Sequence, residues 1–141
     1  MTAKEYLSQA YRLDQRIDSN IAEITRLREM ACGISSPSWE EKVQTSRNTD
    51  APFVRCLEKI MDLEKVVNNE IDTLVDLKRQ IRTTGDTVAN VNERMVLRYR
   101  YIHNMTWEQI GGELNGDEST IRRWHKAALS AVVVPDDPIR I

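Results

Sequence analysis

The stretch that decides the fold of this chain runs from Val91 to Leu129 and reads VNERMVLRYRYIHNMTWEQIGGELNGDESTIRRWHKAAL. It contains one apolar-patterned helix followed by two short helices, each of which has a capping residue before it. A tight turn that includes Gly116 separates the two short helices. This order of elements is typical of a helix-turn-helix, the most specific functional pattern in the chain.

Capping residues set the limits of these helices. Asn90 with Glu93, and Thr106 with Gln109, have the spacing of a capping box, and Asp117 is predicted to cap the last helix.

Two glycines lie in the middle of the first short helix, where each costs about 1 kcal/mol relative to Ala. Such a cost indicates a packing reason. In a helix-turn-helix the first helix needs a small residue where the second crosses it, and Gly111 is predicted to fill that position.

The outward face of the last helix carries the candidate DNA contacts. Arg122 and Arg123 suit guanine O6 and N7 in the major groove, and Lys126 suits a phosphate. The hydroxyls of Ser119 and Thr120 could also touch phosphate. The predicted DNA-binding set is Glu118, Ser119, Thr120, Arg122, Arg123 and Lys126.

Charge limits how strongly this surface could bind a polyanion. The chain has a net charge of −2, whereas the segment 119–131 holds three bases and no acid. The preceding helix adds Arg94, Arg98 and Arg100. A small local patch predicts modest affinity for a monomer, so a dimer or a second protein is needed for tight DNA binding.

Two long helices with coiled-coil periodicity precede this stretch. Along residues 3–31 the spacing alternates between four and three, and Asn20 fills the missing seam position unless the stripe drifts to Ile21. The second helix is predicted to begin at Thr49 or Asp50, with Pro52 in its first turn. The first stripe is Tyr6, Ala10, Leu13, Ile17, Ile24, Leu27 and Ala31. The second is Phe53, Leu57, Ile60, Val67, Ile71, Leu74 and Ile81, with Leu63 and Leu77 beside it.

Matching stripes on two helices joined by the polar segment 32–50 indicate an antiparallel hairpin. A hairpin alone buries a narrow seam, so a homodimer that forms a four-helix bundle is predicted. The alternative is that a partner protein or the C-terminal module covers the remaining apolar face. The predicted fold is all-α: an oligomerising helical hairpin over residues 1–85, a helix-turn-helix module over 86–131, and an extended tail over 132–141. Two prolines exclude a helix in the tail, which could dock or be disordered.

Residues 96–129 resemble region 4 of sigma-70-type factors through Val-Leu, Arg-Tyr, Thr-Trp-Glu-x-Ile and a Thr-Ile helix that ends in Ala-Leu. The segments MTAKEYLSQAYRLDQRI and IMDLEKVVNNEIDTLVDLKRQI resemble small phage and prophage proteins of Gram-positive bacteria, which are described as uncharacterised phage proteins or as ArpU-like late transcriptional regulators. The resemblance implies promoter binding alongside host RNA polymerase, in the bacterial cytoplasm. It places the base-reading positions on Glu118, Ser119, Arg122 and Arg123.

The chain departs from that family in two glycines and one missing region. Gly111 stands where the family mostly has Ala, and Gly116 stands where an apolar turn residue is common. Both departures are expected to loosen the module. No counterpart of sigma region 2, which melts promoter DNA, is present, so a complete sigma factor is not expected.

No pattern for catalysis, a cofactor or a metal is found. His103 and His125 lie 22 residues apart, without cysteines or paired carboxylates at ligand spacing. Cys32 and Cys56 are expected to be small apolar fillers near helix ends rather than a disulfide. No signal peptide is apparent, and the longest apolar run, 131–134, is too short to span a membrane.

Three functions remain open from the sequence. The first is a phage transcriptional regulator that binds double-stranded DNA and activates late genes with host RNA polymerase. The second is a small terminase subunit, which recognises phage DNA for packaging. The third is a module that binds RNA polymerase or a sigma factor without touching DNA.

Overall fold

The computed structural model describes residues 1–34 and 46–141, and for Ile34 and residues 46–51 it describes the backbone alone. The described residues contain helices and no strand, so the predicted all-α class is confirmed. The coiled-coil hairpin and the DNA-binding helix-turn-helix stay predictions in their details. The helices are α1 (Ala3–Ile34), α2 (Ser46–Gly85), α3 (Val91–Leu97), α4 (Trp107–Leu114) and α5 (Glu118–Ala131), with a π-helical segment at Arg98–Ile102.

The described residues form two compact units. We call Met1–Asp14 with Thr73–Ile141 the site unit, and Gln15–Asp72 the middle unit. The dividing points fall inside α1 and α2. The domain limits predicted from the sequence at residues 85 and 131 stay a prediction.

Both long helices extend further than expected at the predicted loop 32–50. Helix α1 continues through Gly33 to Ile34, and α2 begins at Ser46 rather than at a cap on Thr49 or Asp50. Pro52 therefore lies inside α2 and not in its first turn. Cap-forming residue types signal a possible helix start, but they do not exclude one several residues earlier. The rest of the polar segment 32–50 lies outside the described residues, and with it Trp39, which we expect to pack on the hairpin.

The middle unit joins the two helices through a seam that has a polar layer. Glu70 is only 8 % exposed, and it accepts hydrogen bonds from Arg16 Nε at 2.5 Å and Asn20 Nδ2 at 2.6 Å. Asn20 therefore occupies the seam position, while Ile21 is 44 % exposed. An ion pair between Arg28 and Glu64 continues the antiparallel order of contacts.

Two predicted core positions on α2 were wrong. Leu57 and Ile71 are exposed, and the neighbouring Cys56 and Glu70 are buried instead. Two other residues of the predicted stripe, Ile60 and Val67, lie seven residues apart in the middle unit, and both are buried as expected. The prediction at positions 57 and 71 was one residue too late, because the residues that are buried there carry a small thiol and a carboxylate rather than a large apolar side chain. Cys56 is a buried filler, as expected, but Cys32 is exposed.

The site unit has a core formed by the start of α1, the end of α2 and the C-terminal half of the chain. The chain after α5 is not helical, and it docks on this core rather than being disordered. The buried members are Tyr6, Leu7, Ala10, Leu77, Ile81, Val88, Leu97, Tyr101, Ile102, Ala128 and Val132.

Helix α3 contributes to two apolar clusters through adjacent residues. Leu97 packs in the core just described, and Val96 packs with Ile110 and Ile121 in a second cluster beneath α4 and α5. Val91, the apolar residue that begins α3, is 63 % exposed, whereas Leu97 and Tyr101 are buried. A regular period of 3.6 residues per turn does not place Tyr101 correctly, because the helix widens after Leu97.

This widening is the π-helical segment. His103 N donates to Arg98 O at 3.3 Å, which is an i to i+5 hydrogen bond. Asn104 then adopts a left-handed conformation with φ of 55°, and Met105 N donates to Tyr99 O at 3.0 Å. The chain is thereby turned into the cap of α4.

Helices α4 and α5 have the caps that the sequence predicts. Thr106 Oγ1 accepts from Gln109 N at 3.2 Å, and Gln109 Oε1 accepts from Thr106 N at 2.9 Å, so the capping box is complete. Asp117 Oδ1 accepts from Thr120 N at 2.8 Å at the start of α5. Between these helices Asn115 takes a left-handed conformation with φ of 56°.

Gly111 is required by the turn rather than by the crossing of α5. A Cβ at Gly111 would lie 2.6 Å from the carbonyl oxygen of Gly116, which real side chains do not tolerate. Gly116 N also donates to Gly111 O at 3.0 Å, so the two backbones are held together. At Gly112, by contrast, a Cβ would meet nothing within 4 Å. The expectation that a small residue serves close packing is therefore right, but its neighbour is the turn.

The two adjacent glycines should respond to alanine in opposite directions. We expect Gly111→Ala to lower the free energy of unfolding by about 1–3 kcal/mol, because the methyl group collides with backbone. We expect Gly112→Ala to raise it by up to about 1 kcal/mol, because an open helical position gains the propensity of Ala. Urea denaturation followed by circular dichroism measures both. Equal effects of the two variants would contradict the tight-turn explanation.

Candidate nucleic-acid interface

Helix α5 separates an apolar side from a polar side as predicted. Ile121 and Ala128 are fully buried, and Trp124 and Leu129 are half-buried. On the opposite side five of the six predicted residues are exposed. These are Glu118, Ser119, Arg122, Arg123 and Lys126. That they contact DNA stays a prediction.

Thr120, the sixth predicted residue, differs because it is half-buried and belongs to the cap. Its hydrogen bonds to the Asp117 carboxylate, through side chain and backbone, lower the pKa of Asp117, and the charge of Arg123 adds to this effect. Asp117 is thus ionised at neutral pH and complements the helix dipole at the start of α5. Thr120 is therefore more important for starting the helix than for reaching a ligand.

The exposed surface of α5 carries a mixed charge pattern. Arg122 Nη2 lies 3.3 Å from Glu118 Oε2, one helical turn away, and both side chains are at least half exposed. An exposed pair of this kind contributes little to stability, so either partner can exchange to a ligand. Within the described residues no ion pair involves Lys126. Arg123 and Lys126 are therefore the readily available cations of α5.

The three bases of the preceding helix have structural roles instead. Arg94 Nε donates to Val88 O at 3.0 Å, and Arg98 Nη2 lies 2.8 Å from Asp86 Oδ1. Arg100 Nη1 donates to Met105 O at 2.9 Å. These contacts hold the turns on either side of α3, so the positive patch predicted from these residues is smaller than their number suggests.

An aromatic cluster behind α5 fixes the helix in position. His125 Nε2 lies 2.5 Å from the hydroxyl of Tyr101, and the His125 ring packs edge-on against Trp107 with centroids 4.7 Å apart. Arg100 packs over the Trp107 ring, with its guanidinium carbon 4.2 Å from the ring centre. Through His125, this cluster connects α5 to the π-helical segment and to the first residue of α4.

Burial controls the protonation of this cluster. Burial, together with the nearby charges of Arg100 and Lys4, lowers the pKa of His125 from 6.5 to about 4. Burial also raises the pKa of Tyr101 to about 12, although Arg100 opposes this shift. Both groups are therefore neutral at pH 7. Sequence reasoning missed this cluster because its members lie on three elements, and only the aromatic character of Tyr101 and Trp107 signalled packing.

The comparison with protein families identifies the family of this chain. A family model matches residues 33–132, which is 100 of the 141 residues. The chain belongs to the DUF1492 family, a family of unknown function. The match includes all of α3, α4 and α5, so the candidate surface of this DUF1492 protein lies in the shared part. Searches of curated proteins and of solved structures find no match.

Over residues 1–34 and 46–141 no helix is long and apolar enough to cross a membrane. No group of three or more His, Cys, Asp or Glu side chains suited to a metal occurs in that part of the chain.

The neutral state of His125 predicts a pH dependence of stability. Below pH 6.5 the unfolded chain binds a proton at this histidine, whereas the folded chain does so only near pH 4. Stability that is present above pH 6.5 is therefore lost as the pH falls toward 4. We expect the free energy of unfolding, measured with urea at pH 7, 6, 5 and 4.5, to fall less steeply in His125→Gln than in the natural chain.

His103 offers the matched control, because it is the second histidine and it is exposed. His103→Gln should keep the steep pH dependence of the natural chain. A His125→Gln profile parallel to that of the natural chain would show that other groups cause the dependence.

Proposed function

We propose that this protein is a double-stranded DNA-binding transcriptional regulator whose α5 enters the major groove. The observation that carries the proposal is the exposed face of α5. There Ser119, Arg122, Arg123 and Lys126 follow a capped turn, while the opposite side is locked by the buried core. A rigid helix that presents bases near its start is suited to contacting base edges.

Each side chain has a distinct task in this proposal. Arg122 and Arg123 read guanine through bidentate hydrogen bonds, and Lys126 contacts a phosphate. Glu118, once released from Arg122, accepts a hydrogen bond from the N4 amino group of cytosine. Ser119 adds a hydroxyl contact to the backbone of the DNA.

The resemblance to sigma region 4 and to ArpU-like regulators extends the proposal to biology. We propose activation of phage late genes together with host RNA polymerase, in the cytoplasm of a bacterial cell and without enzymatic activity. The mixed charge of α5 and the exposed acids Glu108 and Glu113 on α4 favour one competing function. In that case the module binds RNA polymerase or a sigma factor and does not contact DNA. Packaging by a small terminase is the third possibility.

We further propose that the protein acts as a homodimer, because so small a basic surface needs avidity. Apolar side chains on α2 of the middle unit support this proposal. Val54, Leu57, Met61 and Ile71 are 40–59 % exposed, and their spacing follows one side of the helix. A two-helix unit with this much exposed apolar surface is marginal in stability unless a further chain covers it.

DNA binding should depend on the basic residues of α5. We expect Arg122→Ala/Arg123→Ala to weaken specific binding by about thirtyfold or more, because two base contacts worth about 1–3 kcal/mol each are lost. We expect Lys126→Ala to weaken binding to all sequences similarly and to reduce the salt dependence by about one phosphate contact. Genomic-fragment selection followed by fluorescence anisotropy at several salt concentrations measures both.

Arg79→Ala is the control variant, since it removes one exposed positive charge on α2. It should leave DNA binding unchanged. Enrichment of fragments upstream of late genes supports regulation, and enrichment of a packaging site supports the terminase. No enrichment, combined with retention of RNA polymerase, would support the protein-binding function instead.

The dimer proposal predicts a specific dependence on the α2 side chains. We expect Met61→Asn/Ile71→Asn to raise the dissociation constant of the dimer at least tenfold, because buried apolar area is lost. Asp62→Asn/Asp72→Asn places the same amides on exposed positions one residue further along and should have little effect. Sedimentation equilibrium at micromolar concentration measures both. A monomeric natural chain under these conditions would refute the dimer.

A further inference from the structure

The chain that follows α5 is held on the site unit by two glutamine side chains. Gln80 on α2 donates through Nε2 to Asp137 O at 3.0 Å, and its Oε1 accepts from Ile139 N at 2.9 Å. Gln9 on α1 donates through Nε2 to Ile139 O at 2.8 Å, and its Oε1 accepts from Ile141 N at 3.1 Å. We call Gln9 and Gln80 the glutamine clasp.

Hydrogen bonds from the clasp recur at every second residue of the bound segment. Each glutamine amide offers one donor and one acceptor, as a peptide group of a neighbouring β-strand does. The bonded groups belong to residues 137, 139 and 141, which is the period of an extended chain. Two helices therefore bind a segment by the backbone pattern that a sheet edge uses.

The glutamines are themselves fixed in orientation. The Tyr6 hydroxyl donates to Gln80 Oε1 at 2.7 Å, and Gln9 Nε2 also donates to Tyr6 O at 3.2 Å. Gln9 is only 7 % exposed, although a glutamine side chain is usually solvated. A preorganised pair of amides lowers the entropy cost of binding a chain segment.

Few side chains of the segment contribute to its attachment. Val134 and Ile139 are half-buried and pack against the core, whereas Asp136, Asp137 and Arg140 are exposed. An open pocket lined by Thr83, Thr84, Val133 and Pro135, among others, lies beside the segment. Backbone hydrogen bonds with so little packing hold a segment loosely enough to open locally.

We propose that Tyr6, Gln9 and Gln80 form a binding site for an extended peptide, and that the C-terminal segment is its displaceable intramolecular ligand. The ligand class is an extended chain with an aliphatic side chain at the position of Ile139. Recognition uses backbone groups, so the surrounding side chains can vary. The proposal does not depend on DNA binding.

Occupancy of this site is coupled to the end of α5. Val132 follows α5 directly, and its side chain shares a buried cluster with Ala128, Tyr6 and Leu7. When the segment leaves the clasp, the chain after α5 loses its anchor at Ile139. A peptide that replaces the segment would therefore loosen the last turn of α5.

Hydrogen exchange of the full chain, followed by NMR, tests the clasp directly. The amides of Ile139 and Ile141 should exchange at least tenfold more slowly than that of Arg140, for which no hydrogen bond to a described residue is found. Gln80→Leu should remove the protection of Ile139, and Gln9→Leu that of Ile141, with helicity retained. Equal exchange of the three amides in the natural chain would overturn the proposal.

A labelled peptide of sequence VVVPDDPIRI tests whether the segment can be displaced. Ile139→Pro in the full chain removes the donor to Gln80, and this variant should bind the peptide at least tenfold more tightly than the natural chain does. Adding Gln9→Leu to that variant should abolish the gain. Equal binding to the natural chain and to Ile139→Pro would show that the segment is a fixed part of the fold.

Discussion

The π-helical widening after α3 is the constraint on which the rest of the site unit depends. Regular helix up to Leu97 directs Val96 to one apolar cluster and Leu97 to the other. The wider turn then brings Tyr101 against His125 and lets Arg100 cover Trp107. A regular helix here would rotate Tyr101 away from α5. The position of α5, and with it any ligand-binding surface, is therefore set by five residues outside the two short helices.

The sequence predicted those features that depend on neighbouring residues, and it missed those that depend on residues distant in the chain. The caps at Thr106 and Asp117 need only residue type and spacing, and the structure confirms both. The outward face of α5 followed from simple helical periodicity. The π-helical segment could not be read, because no residue type encodes it. Glu70 on the seam was missed because its burial depends on partners 50 and 54 residues away.

Charge and shape constrain the proposed function differently. Helix α5 is held in position by its Asp117 cap, by its buried side and by the His125 cluster. Positive charge is scarce, since Arg94, Arg98 and Arg100 serve the fold and Arg122 is paired with Glu118. In the proposed DNA complex, selectivity would come from direct contacts more than from general attraction to phosphate, and affinity would depend on a second copy or a partner.

The glutamine clasp has a consequence for how this chain can change over evolutionary time. Its hydrogen bonds reach main-chain atoms, so mutations at Asp136, Asp137 or Arg140 leave the attachment intact. Proline at 139 or 141 is the exception, because it removes the donating N–H. The family match ends at residue 132, and both Gln9 and the clasped residues lie beyond it. The exposed side chains of the C-terminal segment can thus change while its backbone hydrogen bonds to Gln9 and Gln80 are kept.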